Sequence, residues 1–276
     1  MFNLATKSEA RPLTDIREFG AQLIRTEDLD PVYSGLYRAK LPKPQLERAL
    51  IAYWSFYSLG FAAYASEAEG DEFWNRMETA AINEQPSPLG GRWPRATERR
   101  HFRGIKCVNA VRWLRKEEPE YWAQSLAEAK TEKEVMTRVN TWPMFGDWIA
   151  FKAADMMERV YGAKISFDPN IGLMYDSPRK ALDLLMLDMD FITDSRSPEG
   201  FYHNLLSFFS SHRAPPDKGR YCNAQEVETI LCKWGSMKSG HYHVGKDLVE
   251  VRHALKGWGE TADQIIKVMP QEVKND

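Results

Sequence analysis

The chain is 276 residues long, 43% hydrophobic and 28% charged, enough to bury a sizeable core as one large domain or two small ones. Thirty-seven Lys and Arg against 39 Asp and Glu give a net charge of −2, so the chain is no bulk polycation and any nucleic-acid site has to be a local patch. Three cysteines, Cys107, Cys222 and Cys232, argue against a disulfide framework and for a reducing compartment.

The first twenty residues lack a basic stretch followed by an apolar one, so no secretory leader is expected and the cytoplasm is the expected location. Helical spacing of apolar residues dominates throughout and strand-like alternation is nearly absent, so the expected fold class is all-α. Pro44 opens a helix to about Ala65, with Leu46, Leu50, Tyr53, Tyr57 and Phe61 on one stripe. The apolar run within it, Ala49 to Ala65, is interrupted by Tyr53, Ser55, Tyr57 and Ser58, so it reads as a buried helix and not as a bilayer span. Residues 67–84 are acidic and hold a short helix around Phe73 and Trp74, and residues 85–91 are a loop rich in Pro and Gly. Thr131 with Glu134 makes a capping box for a helix ending near Asn140, and Asn223 with Glu226 makes another. Ser177-Pro178 and Ser197-Pro198 each set a cap before a proline at the first helical position. Gly240 and the Gly257 to Gly259 segment read as stops. The count is about nine or ten helices in a single catalytic domain, residues 1–276, within which the acidic stretch and Gly90-Gly91 mark where an N-terminal lobe, residues 1–90, would separate.

Three constellations carry chemistry. In the first, residues 92–103, five arginines fall within twelve residues: Arg92, Arg95, Arg99, Arg100 and Arg103. Lys106 follows, Glu98 is the one acid, and Trp93, His101 and Phe102 are interleaved. Guanidinium forks suit phosphates bidentately and aromatic neighbours stack on bases, so the segment reads as a phosphate or nucleic-acid site. The bland alternative is a solvated helix start that pairs with the acidic stretch before it.

The second is residues 144–168, where a tight turn at Gly146 opens a helix with Ile149, Ala153, Met156, Met157 and Val160 as its apolar face, and Asp168 follows. Free amides at such a helix start can take a phosphate. The third is residues 232–256, where Lys233, Lys238, Lys246 and Arg252 with three histidines flank a loop from Gly240 to Gly245. Such a loop can approach an oxyanion closely, while His241 or His243 offers an acid or base near neutral pH. A zinc reading of His241 and His243 with Cys222 or Cys232 matches no standard ligand spacing. Nothing in the residues demands a metal or an organic cofactor, and the phosphate-loop, dinucleotide, zincin and hydrolase motifs are absent from the sequence.

The glycine turn, helix and Asp of the second constellation resemble the helix-hairpin-helix DNA glycosylases, in which the hairpin holds the DNA backbone and the Asp closes the active site. That resemblance places Asp168 at the catalytic Asp. It also places Trp148 where the lyase-type members carry a Schiff-base lysine, which speaks against that chemistry here. Asp168-Pro169 equally reads as a turn after a helix.

Taken together, residues 28–33, 52–57, 92–95, 98–104, 145–148 and 241–247 resemble one phage family, the amino acid:DNA transferases, also called α-glutamyl/putrescinyl thymine pyrophosphorylases. The resemblance runs from about Asp28 to Trp258. It implies a helix-hairpin-helix, DNA-glycosylase-like helical fold and a role in thymine hypermodification. In that reaction a pyrophosphorylated 5-hydroxymethyluracil in DNA loses pyrophosphate to an amine, from an amino acid or a polyamine. The implied partners are DNA containing a modified thymine and the amine, with no membrane.

Residue type, and not the resemblance, then assigns individual roles. Arg92, Arg95, Arg99, Arg100, Arg103, Gly146, Lys238 and Lys246 are candidate phosphate and DNA contacts, and His101, His241 or His243 would protonate the departing group. Asp147 or Asp168 would deprotonate the incoming ammonium. Trp93, Trp54 and Trp148 are candidates for stacking on an extruded base. Tyr53 and Tyr57 are further stacking candidates but share the apolar stripe of their helix. An N-glycosylase on the same scaffold and a DNA-binding module without catalysis remain the alternatives.

Overall fold

The computed structural model of the protein describes residues 15–173, 175–187 and 197–271. Residues 1–14, on which the leader expectation rests, lie outside them. The described chain is all-α. Its helices are α1 (Ile16–Thr26), α2 (Pro31–Ala39), α3 (Lys43–Phe56), α4 (Leu59–Ser66), α5 (Gly70–Ile82), α6 (Ile105–Leu114) and α7 (Pro119–Ala127). There follow α8 (Glu132–Val139), α9 (Asp147–Met156), α10 (Asp176–Leu187), α11 (Pro198–Phe209), α12 (Ala224–Lys238), α13 (Lys246–Leu255) and α14 (Glu260–Val268). No β-strand occurs among the described residues, only the isolated bridges Thr131–Ser166 and Arg213–Tyr221. None of the described helices is long and apolar enough to cross a membrane.

The described helices outnumber the sequence estimate, and one long expected helix is two. α3 ends where Tyr57 turns left-handed (φ 52°), its N–H donating to Tyr53 O at 2.5 Å, and Ser58 caps the new start at α4. The apolar stripe continues across the break, so periodicity alone conceals it. The caps fall largely where expected: Thr131 accepts from Glu134 N at 3.2 Å, Ser197 from Gly200 N at 3.1 Å, and Glu226 from Asn223 N at 2.8 Å. At Ser177-Pro178 the helix has already begun, at Asp176. The acidic stretch forms a full helix, α5, and not a short one.

The chain gathers into two compact units that interleave in sequence. The first is Met1–Leu29, Pro169–Val249 and Pro270–Asp276, and the second is Asp30–Asp168 with Glu250–Met269. The chain passes from one unit to the other at residues 29–30, 168–169, 249–250 and 269–270. In the first unit Phe19, Leu23, Leu182, Tyr202, Leu205, Phe209, Ile230 and Trp234 form the core. α1 approaches closely at Gly20, where a Cβ would meet Phe209 Cζ at 2.4 Å. In the second unit α3 is central, buried continuously from Glu47 to Phe56, and it packs on α4, α7 and α9.

Candidate active site

The arginine segment is a loop, with a single 3-10 turn at Thr97–Arg99. Trp93 anchors it, 5% exposed, packed on Phe61 and Trp258 with its indole N–H donating to Gln85 O at 2.9 Å. This leaves Arg92 and Arg100 in solvent and turns Arg95, Arg99 and Arg103 inward. Arg99, 7% exposed, donates from Nε to Ser55 O at 2.8 Å and from Nη1 to Met144 O at 2.9 Å, joining the end of α3 to the turn before α9. Arg95 donates from Nη2 to Ala80 O at 2.6 Å, near the end of α5. Helix C-termini favour such cations.

Among the described residues no arginine of the segment has a carboxylate partner. The acidic stretch is engaged elsewhere, Asp71 and Glu78 by Arg115 and Glu72 by Arg76. Four buried guanidinium nitrogens, Arg95 Nε and Nη1, Arg99 Nη2 and Arg103 Nε, have no hydrogen-bond acceptor among the described residues. Burial, helped at Arg95 by the charge of Arg103 and at Arg99 by that of Arg95, pushes both guanidinium pKa values down to about 10. They stay cationic at neutral pH. Buried donors without acceptors are costly, and an anion is what would satisfy them.

A second polar cluster of this unit lies on α9. Trp148, Lys152, Asp155 and Arg159 recur at helical spacing, the last on a π-helical turn at Met157–Tyr161 that continues the helix. Asp155 is fully buried, Arg159 5% and Lys152 8% exposed. Arg159 Nη1 lies 2.6 Å from Asp30 Oδ2 and 3.5 Å from Asp155 Oδ2, and its guanidinium stacks on the Tyr33 ring at 4.7 Å. Tyr53 packs on Tyr57 at 4.6 Å and Tyr57 on Trp148 at 4.8 Å. Burial first, then the Asp155 and Asp30 carboxylates, push the Tyr33 phenol well above its ordinary value. The π turn is held by Tyr161, which donates to Glu47 Oε1 at 2.6 Å.

In the first unit the glycine loop is pinned by Asp28. Its carboxylate accepts from Tyr242 Oη, from Gly245 N at 2.6 Å and from Leu248 N at 2.8 Å, while Lys233 bonds Asp28 O and pairs with Asp247 at 2.6 Å. His241 and His243 are thereby held in solvent, Lys246 donates to His241 O at 2.6 Å, and Lys238 lies 4.9 Å from the Trp234 ring.

The remaining candidates are scattered. Asp147 is exposed and accepts from Asn140 at 2.7 Å, and Asp168 pairs with Lys133 at 3.2 Å. His101 is exposed beside the arginine cluster. The left-handed residue of the turn before α9 is Met144 (φ 69°), not Gly146, which is extended. Trp54 and Trp93 are core residues with no ring face open to a base, Trp54 fully buried with its N–H on Met156 Sδ. Trp148 is only partly buried and keeps its place as a stacking candidate.

Sequence reasoning missed Asp30, Lys152, Asp155 and Arg159. The spacing marks only an apolar face on this helix, yet from Ile149 onward the helix is buried on all sides. The signal was that Ala150, Phe151 and Ala154 leave too few polar residues on the opposite face for it to meet water.

The family model for the amino acid:DNA transferases matches residues 13–243. The chain is 42% identical to the glycinyltransferase of Pseudomonas phage PaMx11, over 93% of this chain and 96% of that protein. It is 27% identical to the putrescinyltransferase of Delftia phage PhiW-14, over 91% of this chain and 82% of that one. A match of this extent shows the family: the chain belongs to the amino acid:DNA transferases and is a transferase.

Proposed function

We propose that the protein hypermodifies thymine in phage DNA, on a helix-hairpin-helix, DNA-glycosylase-like scaffold. It transfers an amine, from an amino acid or a polyamine, onto the exocyclic methylene of a pyrophosphorylated 5-hydroxymethyluracil and releases pyrophosphate. The amine nitrogen donates its lone pair to the methylene carbon, the C–O bond breaks, and its electrons leave on a pyrophosphate oxygen. The ammonium proton passes to a carboxylate. Relatives named for glycinyl and putrescinyl transfer support an amine as the group moved.

The observation that carries the reading is the cluster Arg95, Arg99 and Arg103, with four buried donors that have no acceptor among the described residues. Charge builds on the leaving group as its bond breaks, and preorganised cations stabilise such charge most where water is excluded. Extruding the base into a pocket brings its methylene to them, with Trp148 as the stacking surface. Arg92 and Arg100, Gly146 at the start of α9, and Lys238 and Lys246 by the glycine loop offer contacts to the DNA backbone. His101 would protonate the departing group, and His241 and His243 are the corresponding groups of the other unit.

The test is pyrophosphate release from DNA bearing the pyrophosphorylated base, with and without glycine or putrescine. The reading expects one pyrophosphate per amine incorporated and none without amine. Release of free base would instead point to a glycosylase, and salt-dependent binding without turnover to a non-catalytic DNA-binding module.

A further inference from the structure

The α9 cluster has no part in holding a leaving group. Two carboxylates and two cations stand where water is largely shut out, an arrangement that stabilises a fold less than well-packed apolar residues of the same size. Charges kept in such a place point to a ligand. Tyr33 adds a second, independent observation: its hydroxyl is buried with the ring 2% exposed, is surrounded by Asp155, Asp30 and Arg159, and has no hydrogen-bond partner among the described residues. Trp148 and Tyr57, packed on each other next to the cluster, are only partly buried.

The mixture of signs narrows the ligand. A diamine presents a cation at each end and has no use for a buried arginine. An α-amino acid is a zwitterion and needs an acid and a base side by side, with aromatic faces to shelter its ammonium. We propose that the polar cluster formed by Asp30, Tyr33, Asp155 and Arg159 is the co-substrate subsite and takes a small α-amino acid. Asp155 and Asp30 receive the ammonium, and Arg159 with the Tyr33 hydroxyl receives the carboxylate. In the transfer step Asp155 takes a proton from the ammonium, which frees the nitrogen lone pair that then bonds to the methylene carbon as the C–O bond to pyrophosphate breaks. The assignment rests on the transfer reading above.

Transfer onto DNA bearing the pyrophosphorylated base, measured against glycine and against putrescine concentration with the DNA Kd in parallel, tests it. The wild type should prefer glycine by kcat/KM. Asp155→Asn should lower kcat/KM for glycine about a hundredfold and Tyr33→Phe about tenfold, with the DNA Kd unchanged. Arg159→Lys should erase the preference for glycine over putrescine. Tyr33→Phe removes one oxygen and keeps the shape of the site, so it remains informative where a charge substitution disturbs folding. Variants with wild-type glycine kinetics, or a wild type that prefers putrescine, would overturn the assignment. A wild type that transfers no amine at all would overturn the transfer reading itself, and the two failures are told apart by the wild-type control alone.

Discussion

Arg159 Nη1 stands 2.6 Å from Asp30 Oδ2 with 1% and 12% of the two side chains exposed, so the guanidinium of a π-helical turn holds the carboxylate that opens α2. Asp30 occupies the N-cap position before Pro31, yet its side chain makes no cap hydrogen bond. Removing one partner of a buried ion pair strands the other. Arg159→Met is expected to cost about 3–5 kcal/mol of unfolding free energy in denaturant titration. Asp30→Asn combined with Arg159→Met should recover part of that loss, and a strictly additive double variant would show that the pair is not coupled.

Asp28 offers a separate test. Asp28→Ala leaves the Tyr242 hydroxyl and the Gly245 and Leu248 amides buried without their acceptor, a cost of about 3 kcal/mol. It should also speed amide exchange in residues 241–245, since these bonds fix the loop.

The same carboxyl gives a pH signature. Burial raises its pKa above 3.8 despite the Lys233 charge, the Tyr242 hydroxyl and the two amides. The folded state therefore holds the proton to higher pH than the unfolded state does. Its contribution to stability is full below the ordinary carboxylate value and is lost as pH rises through the raised one. The stability of the wild type relative to Asp28→Asn should fall as pH is raised from about 3.8, and a rising difference would contradict the burial argument.

The arginine cluster predicts a ligand effect without turnover. Inorganic pyrophosphate should stabilise the wild type by about 2–3 kcal/mol at a hundredfold excess over its Kd, read as a rise in Tm, because it satisfies buried donors. Arg95→Gln with Arg103→Gln should remove most of that rise. An equal rise in both proteins would place the ion elsewhere.

How much of this was legible in the sequence depends on what each residue's neighbours supply. Caps and stops were legible because Thr131, Ser197 and Asn223 act within three residues of themselves. The break at Tyr57 was not, because the left-handed residue is a tyrosine and the apolar stripe runs through it. The arginines were found from their density, but which of them turn inward depends on the anchoring of Trp93. Trp54 and Trp93 were placed at a base because aromatic rings serve a core and a stacking surface equally well in composition. The α9 cluster stayed hidden because Asp30 and Tyr33, at the start of α2, lie more than a hundred residues earlier in the chain.

Close helix packing supplies a control away from the α9 cluster. A Cβ at Gly60 would meet Ala254 O and Trp258 Cδ1 at 2.4 Å. Gly60→Ala should cost about 1–3 kcal/mol with little change in the KM for amine, because α4 has to give way against backbone.

The most direct measurement is mass spectrometry of nucleosides digested from DNA that carried pyrophosphorylated 5-hydroxymethyluracil, after incubation with the protein and isotopically labelled glycine. The account predicts a thymidine derivative carrying the label on its exocyclic carbon, with pyrophosphate released in equal amount. An abasic site with free base, or an unaltered pyrophosphorylated nucleoside in DNA that the protein nonetheless binds, would contradict it.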